Sequence, residues 1–291
     1  MTAPALRDLE SLMDAAWPAP DRSESNGWVL RAAEGVTQRA NSVWPREPGS
    51  DPHAQYAALR EARLWYRDRR LPLIFQLFDD PRTAGLHSVL DAGGFTRQSE
   101  TLVMWHNAGA KPASADSAVP HPLVPESHAP ESGVELSTEP SPEWLELWWQ
   151  VDGRGGPAEL AAARGILTGC PSVFALVRSD DGVPAAVGRL ALPAEKPAVP
   201  VHTSAAPGGA AGGWGGLYCM ATRPDARRRG HARGILQALL NEGAARQLAG
   251  YWLLVTAANS GAQQLYAAAG FSEAGRYLYR QDRPKRHLTG C

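Results

Sequence analysis

Cysteine is scarce in this 291-residue chain, with only Cys170, Cys219 and Cys291. Widely spaced and odd in number, they allow no disulfide framework and no CxxC metal site, which points to a reducing compartment. Long hydrophobic runs are missing too. No stretch approaches the ~18 apolar residues of a membrane span. The N-terminus has no basic segment followed by an apolar run, so the sequence predicts a cytoplasmic protein, neither secreted nor membrane-spanning. Lysine is nearly absent: Lys111, Lys196 and Lys285 stand among 29 basic residues, and the rest are arginine. Nor is there an excess of one charge. The 29 basic and 30 acidic residues leave a formal net charge of −1, which argues against wholesale binding to nucleic acid or anionic membrane but leaves room for a local basic patch.

What is present is enough apolar sequence to bury real cores, 44% hydrophobic against 20% charged residues. At roughly 150 residues per domain the length fits two domains. Residues 106–133 contain no aromatic residue and five prolines, Pro112, Pro120, Pro122, Pro125 and Pro130. Such a stretch neither forms a helix nor buries a core. The sequence therefore predicts a first domain over 1–106, a Pro-rich linker over 107–133 and a second domain over 134–291. Within the second, Pro193–Gly213 is rich in Ala, Gly and Pro and reads as a long loop between two strands, mobile until an acceptor binds and then a partial lid.

The second half alternates. Strands are predicted at Val134–Ser137, Ser172–Ser179, Pro184–Leu192, Trp214–Thr222, Tyr251–Ala257 and Gly275–Arg280, and helices at Pro142–Gln150, Ala158–Leu167, Ala232–Leu248 and Ser260–Ala269. Interleaving of this kind makes a mixed α/β sheet. In the first half, Trp28–Ala32 and Arg39–Val43 read as paired strands. A helix over Asp51–Arg69 follows, with Asp51 as N-cap and Pro52 at its first position. A strand over Leu71–Phe78, a helix over Arg82–Ala92 and a strand over Thr101–His106 complete it. The two halves look related at an offset of 176: Gly94-Phe95 matches Gly270-Phe271, each after a helix end and before a strand.

The segment that carries chemistry is Met220–Leu236. A strand ends at Thr222, Pro224 breaks it, and Arg227-Arg228-Arg229-Gly230-His231-Ala232 opens into an amphipathic helix. A strand, a glycine turn and a helix N-terminus together form an anion site, because successive N–H groups point outward and the helix dipole favours negative charge. Arginines add charge-assisted contacts to phosphate. Arg227-x-x-Gly230-x-Ala232 resembles the pyrophosphate loop of the GNAT superfamily of N-acetyltransferases. Asn259…Ala262…Leu265-Tyr266…Gly270-Phe271 resembles that family's second signature, at the expected distance. The resemblance covers about 134–284 and is weaker over 20–106, which looks like a degenerate GNAT-like half.

The resemblance implies tandem GNAT-like domains, the second with a splayed sheet that binds acetyl-CoA as co-substrate, with no metal and no acyl-enzyme. Met220, Ala221 and Thr222 would bind the pantetheine arm and polarise the thioester carbonyl. Arg227 opens the loop, the amides of Arg228, Arg229, Gly230, His231 and Ala232 would hold the pyrophosphate, and Asn259 would contact the arm. Tyr266 would be the catalytic acid, protonating or hydrogen-bonding the leaving thiolate. The acceptor would be a small-molecule or peptide amine. The sequence departs from the family on Trp214–Thr222, which carries no carboxylate to serve as general base. A CoA-liganded module without turnover is the alternative, and a nucleic-acid-associated protein a third reading, opposed by the near-zero charge. Nothing in the sequence separates a monomer from a homodimer. Beside these, Cys219 reads as a small buried hydrophobe, the His231 side chain as facing solvent, and Trp144 and Trp148 as core, or else as an aromatic acceptor wall.

Overall fold

A computed structural model describes residues 5–108, 133–194 and 212–283. Most of the expected linker and of the long loop lie outside the described residues, and with them the expectation of a lid.

The first half opens with helix α1 (Leu6–Ala16), which buries Leu9, Met13 and Ala16 at helical spacing. Strands β1 (Asp21–Ser25) and β2 (Trp28–Ala32) form a separate antiparallel pair. Helix α2 (Pro52–Asp68) starts where expected, with the Asp51 carboxylate accepting from the amides of His53 and Ala54 at 3.0 and 3.3 Å. Strand β3 (Ile74–Phe78), helix α3 (Ala84–Ala92) and strand β4 (Thr96–Asn107) follow.

The second half runs β5 (Val134–Ser137), α4 (Pro142–Asp152), α5 (Pro157–Thr168), β6 (Ser172–Arg178), β7 (Pro184–Ala191) and β8 (Trp214–Thr222). It continues through α6 (His231–Ala245), β9 (Gly250–Thr256), α7 (Ser260–Ala268) and β10 (Ser272–Gln281). Each expected element of this half is present, with ends shifted by a few residues.

The halves share one eight-stranded sheet in the order β3-β10-β4-β9-β8-β7-β6-β5. In it β4, from the first half, pairs with β9 of the second, and β10 returns between β3 and β4. The halves therefore exchange a strand. Arg280, fully buried on β10, locks the exchange by donating to Asp91 and to the Phe95 carbonyl. The starts of β3 and β9, α3 and α7, and β4 and β10 all keep the 176-residue offset.

Arg39–Val43 corrects the expectation of a strand. Its only ladder contacts among the described residues are isolated bridges, Val29 with Trp44 and Val43 with Phe75. The cause is Asn41, whose amide accepts from Ala33 and Gly35 and donates to Val36 and Thr37 at 2.7–2.9 Å. A side chain that satisfies four backbone groups stabilises a compact turn in place of a ladder. The strand that pairs with β2 is instead the polar segment Asp21–Ser25, which shows no apolar alternation.

Two faces of the sheet are covered. On one, α6 and α7 pack Ile235, Leu236, Leu239 and Tyr266 against Leu217, Leu253 and Val255. On the other, α1, α4 and α5 bury Trp17, Trp144, Trp148 and Ile166 against Phe174, Tyr218 and Trp252. Trp144 is core, as the default reading had it: it is 1% exposed, and its indole N–H donates to the carbonyls of Ala175 and Gly188 at 3.0 and 3.2 Å.

Candidate functional site

The site begins where two parallel strands part. β8 pairs with β9 only from Trp214–Gly250 to Leu217–Leu253. Beyond that point β8 stays with β7, as far as Ala186 with Thr222, while β9 stays with β4, as far as Thr101 with Thr256. A bulge between Val187 and Arg189 drives the separation. Opposite it, Cys219 takes a left-handed φ of 54°. Gly188 permits this bend, since a Cβ there would lie 2.7 Å from the Met220 sulfur and 2.5 Å from Ile235. The edge of β8 from Tyr218 to Thr222 that faces β9 therefore has no strand partner among the described residues. This splayed edge includes Met220, Ala221 and Thr222.

The free end of β8 leads into the anion turn. A single turn of 3-10 helix at Pro224–Ala226 reverses the chain, held by Arg223 to Asp225 at 2.7 Å and to the Pro184 carbonyl at 3.2 Å. Arg228 and Gly230 follow at φ 63° and 85°. Left-handed residues alternating with others turn successive N–H groups to one side. Gly230 is the N-cap of α6 and no side chain caps the helix. The amides of Arg228, Arg229 and Gly230 find no acceptor among the described residues, and those of His231, Ala232 and Arg233 lie in the first helical turn, where none exists within the helix. Space for a ligand is open above them, because a Cβ built on Gly230 or Gly234 meets nothing within 4 Å.

Arg228 and Arg229 are exposed. Arg227 bends back, its Nε 3.3 Å from the Thr222 carbonyl. His231 differs from expectation: its side chain is partly buried, and Nε2 is shut off from solvent without a partner. The cause is its place as first residue of α6, where the helix turns back over β8.

Asn259 caps α7, its Oδ1 accepting from Ala262 at 3.1 Å. That bond uses the oxygen and leaves the side-chain NH2 for another acceptor. Two turns on, Tyr266 is 7% exposed and stacks edge-on against Phe271 at 6.2 Å. No hydrogen bond engages its hydroxyl among the described residues. Burial, helped by the Asp152 carboxylate, pushes its pKa up to about 12.

Asp152 was not singled out from sequence. It closes α4, on the opposite face of the sheet from α7. Its carboxylate is open to solvent yet hemmed in by protein; desolvation raises its pKa, against the pull of Arg154 and Arg227. The same carboxylate bears on both Tyr266 and Cys219. The one sequence signal was indirect: the expected strand lacks a carboxylate, so a base must come from elsewhere or the amine arrive already neutral. Cys219 is partly buried, and burial pushes its thiol up to about 12, so it is protonated at neutral pH and has little nucleophilic character.

Among the described residues no cluster of His, Cys, Asp and Glu has the makings of a metal site, and no helix is long and apolar enough to cross a membrane. A recess of about 450 Å³ between α4 and α5, lined by Leu145, Trp149 and Leu160, touches neither Tyr266 nor the 227–232 turn. In the first half, the helix N-terminus comparable to that of α6 is already filled by the Asp51 carboxylate, and fully buried Leu90 stands 176 residues before Tyr266.

A family model described as "Probable histone acetyltransferase Rv0428c C-terminal" matches residues 3–280. The chain is 33% identical over 99 residues to the uncharacterized N-acetyltransferase YobR of Bacillus subtilis, a stretch covering 34% of this chain and 38% of that protein. It thus spans less than two fifths of that relative's length. A GCN5-related N-acetyltransferase from Kribbella flavida has a similar structure, with a TM-score of 0.63, 19% identity and 98% of both chains covered. A tandem GNAT protein from the clavulanic acid biosynthesis pathway aligns with a TM-score of 0.58 and 15% identity, covering 97% of this chain and 89% of the other. At such identities the likeness is one of fold. A family match from residue 3 to residue 280 leaves neither half outside it, and the chain belongs to the Rv0428c C-terminal acetyltransferase family.

Proposed function

We propose that the chain is an acetyl-CoA-dependent N-acetyltransferase that works through its second half, by direct attack of an amine on the thioester. The observation that carries this reading is the continuity of one unpaired backbone edge: β8 leaves β9 at Leu217 and runs into the uncapped, left-handed turn at the start of α6.

A pantetheine arm is an amide chain of strand-like reach, and the unpaired edge Tyr218–Thr222 offers it the backbone partners that β9 no longer supplies. The open amides of Arg228–Ala232 and the α6 dipole suit a pyrophosphate, with Arg228 and Arg229 at its rim. Asn259 offers its NH2 to an amide carbonyl of the arm. Backbone N–H groups at the bulge polarise the thioester carbonyl as negative charge develops on its oxygen.

Tyr266 acts on the leaving sulfur. A phenol near pKa 12 is less acidic than a thiol of ordinary pKa ~8.5 by roughly 3.5 units, or ~5 kcal/mol of uphill transfer. Its part is therefore to donate a hydrogen bond that stabilises the thiolate, rather than to surrender the proton outright. Asp152 is the carboxylate placed to receive the ammonium and accept its proton, the role for which β8 has no side chain. Its raised pKa brings it closer to a working base. Protonated Cys219 is not suited to carry the acetyl group, so attack is direct.

The test is release of CoA from acetyl-CoA on addition of amines, beside thermal stabilisation by acetyl-CoA. Stabilisation without amine-dependent release across a broad amine panel would favour a binding module; absence of both would refute the site.

A further inference from the structure

The first half places a cation against the acceptor side of this site. Arg39 lies with its guanidinium carbon 5.2 Å from the ring centres of both Trp17 and Tyr218, which stack on each other at 5.4 Å. Arg189, on β7, flanks the same pair at 5.6 and 5.7 Å. Neither has a carboxylate partner among the described residues. Glu10 and Asp14 share a crevice with Arg39, but Glu10 is held by Arg82 and Trp44, and Asp14 by Arg22 and Arg31. The phenols of Tyr218, Tyr277 and Tyr279 also act on Arg39, Tyr277 through a side-chain hydrogen bond.

Both guanidiniums also keep a nitrogen with no acceptor: Nε of Arg39 and Nη2 of Arg189 are shut off from solvent and unbonded. Arg189 is fully buried and spends its other nitrogens on the Ser172 hydroxyl and the Ala16 carbonyl, at 3.0 and 3.1 Å. Arg39 is only partly buried as a residue, although burial desolvates its guanidinium. Two desolvated cations side by side without a counter-charge are costly, and proteins normally pair such groups. The missing charge has an obvious place to come from. Tyr218 adjoins Cys219 at the mouth of the splayed strands, and the Cys219 thiol lies within the fields of Arg189, Asp152 and Arg39 together. An acceptor entering there meets a carboxylate on one side and an arginine pair on the other.

We propose that the acceptor carries a carboxylate close to its amine, the carboxylate held by Arg39 with Arg189 behind it and the ammonium received by Asp152, as in an amino acid or the equivalent end of a larger molecule. This rests on the acetyltransferase reading for the amine half. The carboxylate half stands on the Arg39 cluster alone. Arginine meets a carboxylate through two parallel N–H bonds, a match that a neutral amide cannot reproduce.

Matched pairs test it on the full chain: alanine, phenylalanine and glutamate against their α-amides as acetyl acceptors. The acids should be preferred at least ~10-fold in kcat/KM. Arg39→Met should abolish that preference by raising KM for the acids, with little change for the amides. Arg39→Lys should restore part of it. Because Arg39→Met removes an uncompensated cation, its melting temperature should equal or exceed that of the unaltered chain. A second arm needs no turnover: the N-acetylated acids should raise the melting temperature of CoA-loaded protein, their amides should not, and Arg39→Met should erase the difference. Equal use of acids and amides, or an Arg39→Met protein that keeps the preference, overturns the proposal. If no amine releases CoA although acetyl-CoA binds, the transferase reading falls and the thermal arm decides the carboxylate; equal or absent shifts for acid and amide then overturn it.

Discussion

Asp152 and Tyr266 belong to helices on opposite faces of the sheet, yet the carboxylate of one raises the pKa of the other's phenol. In an intact sheet two such side chains would be screened by a layer of backbone. Here β8 has left β9, and the field of the carboxylate reaches the phenol. On the proposed reading the parting of the strands joins the two faces, one bearing the amine side of the reaction and the other the sulfur side.

Gly230→Asp tests the anion turn. The change adds a carboxylate where the pyrophosphate would lie and forces a side chain on a φ of 85°. Acetyl-CoA should stabilise the unaltered protein by mass action and leave this variant's melting temperature unmoved. A retained shift would remove the turn from the site.

Tyr266→Phe separates binding from chemistry. Losing the hydroxyl should lower kcat by ~10- to 1,000-fold, about 1.4–4 kcal/mol, with the dissociation constant for acetyl-CoA nearly unchanged. The buried ring keeps its contact with Phe271, so stability should change little. Full activity in this variant would make the residue structural.

Asp152→Asn should act on rate and stability in opposite directions. As the base, Asp152 must be ionised, so kcat/KM should fall along an acidic limb set by its raised pKa, and the variant should lose both the limb and most of the rate. For stability, a carboxyl whose folded pKa lies above its unfolded value binds its proton more tightly in the native state. Its ionisation costs stability, fully so above the folded pKa. Asp152→Asn should therefore melt higher than the unaltered protein at pH 7. The difference should close as pH falls below the ordinary Asp range of about 3.9. Melting curves across pH, alongside the rate profile, check both signs.

Trp144→Ala tests the core of the second half. The indole is buried against Phe174 at 5.1 Å, and its N–H serves two strand carbonyls. Truncation should cost ~3–5 kcal/mol, read by denaturant unfolding. A loss below 1 kcal/mol, with acceptor KM raised, would place this tryptophan in the acceptor wall instead.

The parts of the site that were legible in the sequence are those whose geometry is local. Gly230 and the residues beside it set their own φ values, Asn259 caps the helix it precedes, and Tyr266 follows two turns later. Each is fixed by neighbours in the chain, so a short motif carries it. A helix with a clear start was legible for the same reason, α2 from Asp51-Pro52, whose cap accepts amides two and three residues on. The all-polar β1 was not, because its place comes from pairing with β2 and leaves no apolar period.

Asp152, Arg39 and the exchange of β4 and β10 arise from contacts between segments distant in sequence. No local pattern marks them, since an aspartate at a helix end or an arginine in a turn is ordinarily a solvated residue. Asp152 acquires its perturbed carboxyl only once α4 packs across β8, and Arg39 its proposed task only once the first half closes over Tyr218. The 227–232 turn and the placing of Tyr266 on its helix follow from chain-local conformation; the groups proposed to face the acceptor follow from desolvation and charge brought together across the sheet, which exist only in the folded chain.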